Sequence, residues 1–193
     1  MTDCAAIILS VVPFFWWVVI WIIWIDARSA GPPGHKGKSM NIGIIGSEAA
    51  KFTPETEARA KLEIKAIFAD YWPSEGDPAP TIVSGHCHLG GIDIWAEEQA
   101  HKVEWSTWIF PPAKQQWEGG YKQRNIQIAK YSDIVYVITL KELPDGYRGM
   151  RFADCYHCIK RRPEGVPHVK SGACWTAWYA IEKLGKPARW III

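Results

Sequence analysis

Thr81-Ile-Val-Ser-Gly-His-Cys-His-Leu-Gly-Gly-Ile-Asp93 is the stretch whose reading decides the fold. Residues 81–84 form a short apolar run bounded by turn residues, which predicts a buried strand. Gly85 to Gly91 then reads as a glycine-rich loop, and Ile92 opens a helix predicted to reach about Lys102. Strand, glycine turn and helix in immediate succession form the repeating unit of a parallel sheet.

The same unit appears on both sides of this stretch. Upstream, Asn41 to Ile45 predicts a strand that ends at the Gly46-Ser47 turn. Thr53-Pro54 reads as N-cap and first residue of a helix running to about Tyr71. Its expected buried side is Ala58, Leu62, Phe68 and Tyr71, joined by Ile64 and Ile67. Pro73 to Pro80 is a loop.

Downstream, Trp105 to Phe110 predicts a third strand, and a helix is expected around 121–130. A fourth strand covers Ile134 to Thr139. A long irregular stretch from Lys141 to Lys170 precedes a helix from about Cys174 to Leu184. Gly185 and Pro187 end that helix, and a last strand covers Trp190 to Ile193. The alternation predicts an α/β fold with a doubly wound, mainly parallel, Rossmann-like sheet of about five strands. Such sheets take ligands beyond the carboxyl ends of their strands, where strand order reverses. The length of the 141–170 stretch makes it a candidate functional insertion.

The domain is expected over residues 40–193. Residues 1–39 differ in kind. Ala5 to Ile25 carries no charge and is long enough to span a bilayer as a hydrophobic helix. Arg28, Lys36 and Lys38 follow it, so the positive-inside rule leaves the folded domain in the cytoplasm. The alternative is a true start at Met40, for which Trp16, Trp17, Trp21 and Trp24 argue, since tryptophan favours the membrane interface over the middle of a span. Gly31 to Lys38 is a linker in either reading, and both place the domain inside the cell, as a cytoplasmic or single-pass membrane protein.

The formal charge of +2 lacks the clustered basic excess that a dedicated nucleic-acid binder needs, and removing residues 1–39 barely changes it. Five cysteines are too few and too unevenly placed for a disulfide scaffold.

Four loops at strand carboxyl ends carry pocket-forming residues. They are Gly46-Ser47-Glu48; the loop from Ser84, Gly85 and His86 through Gly90 and Gly91 to Asp93; Arg124-Asn125; and Ser171-Gly172 with Thr176. Glycines free backbone N–H groups, helix starts add a positive dipole end, and the Arg124 guanidinium can grip a phosphate bidentately. A structural turn or a surface salt bridge explains any one of these alone. Four in succession predict a pocket for a small nucleotide-like ligand. Trp105, Trp108, Trp117, Trp175, Trp178 and Tyr179 are candidate base-stacking residues, Trp175 foremost. An exposed aromatic rim would suit a homo-oligomer.

Cys155-x2-Cys158-x9-His168-x5-Cys174 supplies four soft or borderline ligands of the kind that structural zinc favours. His157 is an alternative ligand, and Cys174 is alternatively a pocket thiol at a helix N-terminus. His86-Cys87-His88 forms a weaker second cluster.

At these loops residues 41–193 resemble the SLOG superfamily, the Rossmann-like group that includes the lonely-guy phosphoribohydrolases and the DNA-processing protein A family. The YspA-type branch is the nearer likeness. The Gly46-Ser47 turn, the Ser84-Gly85…Gly91-Ile-Asp93 loop, the Arg124-Asn125 pair and the Ser171-Gly172 turn fall in that family's order. The resemblance implies a nucleotide or nucleotide derivative as ligand. Lonely-guy hydrolases use an arginine, which Arg124 matches, and the glutamate of Pro-Gly-Gly-x-Gly-Thr-x-x-Glu. Counted from Thr176, that glutamate position is Tyr179. The expected function is therefore ligand binding without assigned catalysis. A phosphoribohydrolase acting on nucleoside 5′-monophosphates is the alternative, with Glu48, Asp93 or Glu97 as substitute carboxylate. A single-stranded DNA-binding module is a further alternative that the charge disfavours.

Overall fold

Every strand of the sheet is parallel to its neighbours, and the strand order is β3-β2-β1-β4-β5. The strands are β1 (Asn41–Gly46), β2 (Thr81–Ser84), β3 (Thr107–Ile109), β4 (Ile134–Thr139) and β5 (Ala188–Ile192). Among the described residues four α-helices connect them: α1 (Pro54–Asp70), α2 (Ile92–Lys102), α3 (Lys122–Tyr131) and α4 (Gly172–Leu184). This computed structural model describes residues 39–149, Cys155, Cys158 and residues 167–193. The hydrophobic run at 5–25 and His157 lie outside the described residues. Among the described residues no helix is long and apolar enough to cross a membrane.

The sheet is covered on both faces because the central strands carry apolar side chains on both sides. On one face Ile42, Ile44, Ile82 and Ile138 pack against α1 and α2 through Ile64, Phe68, Ile92 and Ala96. On the other, Ile45, Val83, Val135 and Val137 pack against α3 and α4 through Ile128, Ala129, Ala177 and Ala180. β4 is buried along its whole length. Such a strand reads as a continuous hydrophobic run rather than an alternating one. Gly43 is required by close approach: a Cβ there would sit 2.5 Å from Ser132 Oγ on the α3 side.

The start of α1 matches its sequence signal. Thr53 Oγ1 accepts from Thr56 N–H, Thr56 Oγ1 accepts from Thr53 N–H, and Pro54 fills the first helical position. The expected buried stripe is partly wrong. Ala58 and Leu62 are exposed, and the face turned to the sheet is Ala60, Ile64, Ile67 and Phe68. Positions 60 and 64 are four residues apart on one stripe, and 67 and 68 continue it. Ala58 and Leu62 each precede a stripe position by two residues, which is nearly opposite on a helix. The third strand is shorter than its sequence span, because Trp105 turns into the core and stacks on Phe68 with centroids 4.7 Å apart. The last helix starts two residues earlier than expected, with Ser171 as its N-cap. The final strand likewise starts two residues earlier, at Ala188.

Strand order steps outward from β1 to β3 and then reverses to β4 and β5. The reversal leaves a crevice beyond the carboxyl ends of β1 and β4, the place where doubly wound sheets take ligands. Every loop singled out in the sequence leads towards that crevice or supports it.

Candidate functional site

A cavity of about 300 Å³ occupies the crevice. Gly46, Ser47 and Glu48 form its floor at the end of β1, and Lys51 follows on a short 3-10 turn. Cys87, Leu89 and Asp93 line it from the β2–α2 side. Trp117, Tyr121, Arg124 and Asn125 contribute from the start of α3, and Ser171, Gly172 and Ala173 from the start of α4. The N-termini of α2, α3 and α4 therefore all meet the same space. Unpaired N–H groups and the helix dipoles give such a place a positive potential.

The floor is built from close approaches. Gly46 cannot carry a side chain, because a Cβ would meet Ile138 O at 2.1 Å. Ser47 Oγ is hydrogen-bonded to Thr139 Oγ1 at 3.1 Å, and Ser47 N–H donates to Ile138 O. These bonds tie the ends of β1 and β4 together beneath the cavity. Gly91, the N-cap of α2, sits at φ +92° with its would-be Cβ 2.3 Å from Ser47 O. Gly90, at φ +71°, packs beside Ala49. The two glycines thus let the β2–α2 loop rest directly on the β1 turn.

Arg124 is held rather than free-swinging. Its Nη1 donates to Gly85 O at 3.2 Å, and its Nε donates to Asn125 Oδ1 at 3.0 Å. The Tyr121 ring lies 5.3 Å from the guanidinium carbon. Asp93 Oδ2 is 3.8 Å from Nη1, while Asp93 Oδ1 accepts from Gly46 N–H at 3.2 Å. Burial raises the Asp93 carboxyl from its usual range to about 6, against the opposing pull of Arg124 and the Gly46 N–H. Asn125 extends the contact to α4, its Nδ2 donating to Gly172 O at 3.5 Å. With Nε and Nη1 engaged, Nη2 is the guanidinium nitrogen left for a ligand among the described residues.

Several expected site residues act one step back from the cavity. Ser84 Oγ donates to Glu97 Oε1 at 2.5 Å, and His86 Nδ1 lies 2.8 Å from Glu97 Oε2. Glu97 is thereby engaged in holding the loop. Gly85 supplies its carbonyl to Arg124, and its missing side chain leaves room for that guanidinium. Thr176 is fully buried and donates to Gly172 O within α4. Glu48 lines the cavity and accepts from Tyr147 Oη at 2.7 Å, so the insertion reaches the first loop.

Aromatic placement differs from expectation. Trp175 packs edge-to-face on Trp117 with centroids 5.1 Å apart and stacks on Tyr179 at 5.4 Å. It does not line the cavity; Trp117, 42% exposed, does. Position 175 is two residues on from Ala173, nearly opposite it on the helix, and its ring is taken up by Trp117 and Tyr179. Trp117 was not separable in the sequence from the other tryptophans, because it lies in an irregular turn, Trp117–Tyr121, with Gly119 at φ +73°. Tyr179 is committed to the same aromatic group. Lys51, Leu89 and Ala173 also line the cavity and were not singled out in the sequence.

The second constellation lies beside the α4 wall. One ligand atom from each of Cys155, Cys158, His168 and Cys174 falls within 4.8 Å of every other, and all four residues are buried. Cys174 Sγ is 3.4 Å from His168 Nε2. Zinc bond lengths of about 2.0–2.3 Å in a tetrahedron give ligand–ligand edges of about 3.3–3.8 Å, so this arrangement needs little adjustment to hold an ion. Hydrogen bonds from the Cys158 and Cys174 thiols lower the Cys155 pKa, and the same proximity raises that of Cys174. Among the described residues this is the one grouping of three or more histidine, cysteine and acidic side chains able to hold a metal ion. His86, Cys87 and His88 do not form another, since His86 pairs with Glu97 while Cys87 faces the cavity.

The fold and site together define a parallel α/β protein with a cavity at its topological switch point and a buried three-cysteine, one-histidine cluster behind one wall. No protein-family model, no curated protein and no solved structure gives a significant match to the chain.

Proposed function

We propose that the chain is a nucleotide-binding module of the SLOG type, taking a phosphate-bearing nucleotide or nucleotide derivative in the switch-point cavity. The observation that carries this reading is the convergence of three helix N-termini on a cavity whose wall holds Arg124. Such a site favours an anion, and a guanidinium already oriented by Gly85, Asn125 and Asp93 loses little freedom on gripping one. Trp117 and Tyr121 offer aromatic surface beside that grip, suited to a base or sugar. A volume of about 300 Å³ lies at the lower end of ligand pockets, which favours a mononucleotide over a dinucleotide. Isothermal titration of the full chain with AMP, the other nucleoside 5′-monophosphates and inorganic phosphate tests the reading. Absence of binding across that panel would sink it.

In this reading the cysteine–histidine cluster is a zinc site. Three thiolates and an imidazole complete a tetrahedral sphere and leave no open position for a substrate, which is the pattern of structural rather than catalytic zinc.

Asp93 favours one second reading, cleavage of the N-glycosidic bond of a nucleoside 5′-monophosphate. A cavity carboxyl titrating at about 6 can hold or release a proton near neutral pH. Free base released from AMP by the full chain, and lost in Asp93→Asn, would establish that activity.

A further inference from the structure

The metal ligands and the cavity wall belong to one short segment. His168 and Cys174 are both in the cluster, and Ser171, Gly172 and Ala173 between them line the cavity. We propose that a metal ion in the Cys155–Cys158–His168–Cys174 cluster sets the geometry of the Ser171–Ala173 wall, so that metal occupancy controls ligand binding in the neighbouring cavity. The proposal rests on the nucleotide reading for the ligand alone; the coupling of metal to wall stands on the segment itself.

Three sets of contacts carry the coupling. His168 is followed by Val169, whose carbonyl accepts from Thr139 Oγ1 and whose N–H donates to Leu140 O. Thr139 Oγ1 is in turn bonded to Ser47 Oγ on the cavity floor. Ser171 Oγ donates to Gly46 O and accepts from Ala173 N–H, capping α4 against the end of β1. Cys174 N–H donates to Ser171 O, and Cys155 N–H donates to His168 O, which closes the loop on the cysteine side. An ion joining positions 168 and 174 fixes both ends of a five-residue span. Its loss removes that tie from the α4 N-terminus, which the Ser171 and Asn125 contacts still hold, and loosens the common aim of the helix-start N–H groups. Binding at two sites that share one ordered element is coupled, and the coupling is reciprocal.

The experiment uses the full chain expressed without chelator. Native mass spectrometry should report one zinc per chain, and replacement by cobalt(II) should give the thiolate charge-transfer and tetrahedral ligand-field bands. Stripping with dipicolinate should speed hydrogen exchange at residues 168–174 while β2 and β3 keep their protection. AMP affinity should fall by about tenfold or more and return on adding zinc. AMP should slow or weaken zinc loss by the same factor. Cys158→Ser should reproduce the stripped state in the presence of zinc. Failure of the wild type to retain zinc or take up cobalt overturns the proposal. So does unchanged exchange at 171–173 in stripped protein, or loss of protection spreading through β2 and β3. If exchange at 171–173 responds to zinc but no monophosphate binds either form, the coupling holds and the nucleotide reading fails.

Discussion

Asp93 Oδ2 lies 3.8 Å from Arg124 Nη1, and the carboxylate is the more deeply buried partner, 5% exposed against 12%. This pair joins the first turns of α2 and α3 across the cavity. The arginine is anchored by groups that do not depend on the aspartate charge, namely Gly85 O and Asn125 Oδ1. The aspartate is less well compensated. Its carboxyl is raised to about 6 by burial despite the nearby guanidinium. The site thus keeps a cation whose orientation is fixed and an acid whose charge is costly.

Replacing Arg124 by alanine should weaken AMP binding by about 2 kcal/mol, roughly thirtyfold, since a charge-assisted contact is lost. Titration calorimetry measures the change, and far-UV circular dichroism checks that the fold persists. Lysine at this position should restore only part of the affinity, because it lacks the fork that Asn125 and Gly85 hold.

The pH dependence follows from Asp93. Its folded pKa, about 6, exceeds the ordinary aspartate value of 3.8, so the folded state binds the proton more tightly than the unfolded chain. The contribution is fully present below about pH 4 and is lost as pH rises through 6. Asp93→Asn should therefore gain stability relative to wild type by about 2–3 kcal/mol between pH 4 and pH 7. Urea unfolding of both proteins at the two pH values gives the difference. A constant offset would show that the carboxyl titrates normally.

Trp117→Ala should weaken AMP by about 1–3 kcal/mol while leaving inorganic phosphate almost unaffected, because stacking acts on the base alone. Equal losses for both ligands would place Trp117 outside base recognition. Trp175→Ala should act in the same direction but less strongly, through loss of the edge-to-face contact that supports Trp117.

Gly91→Ala should destabilise the protein by about 2–3 kcal/mol, since the new Cβ would strike Ser47 O from a φ of +92°. Thermal unfolding reads the loss. Gly76→Ala, also at positive φ but with open space around it, should cost less.

Much of this molecule is legible along the chain because its signals are local. Buried parallel strands are short apolar runs, and 41–46, 81–84 and 134–139 stand out for that reason. The α1 start is written in Thr53-Pro54, the close turns in Gly46, Gly90 and Gly91, and the ligand set in the Cys155–Cys174 spacing. Arg124, Asn125 and Asp93 could be singled out because each begins a helix after a strand. What the chain could not show is how those helix starts face one another. Leu62 and Ile64 are equally apolar, and only the docking of α1 on the sheet decides that one is exposed and the other buried. Trp117 and Trp175 are equally aromatic, and only an irregular turn at Gly119 decides which one borders the cavity. The juncture of cluster and wall depends on the reversal of strand order between β1 and β4, which places Ser171 beside Gly46, 125 positions earlier in the chain. Residue type and spacing settle which groups are present; long-range packing settles which of them share a space.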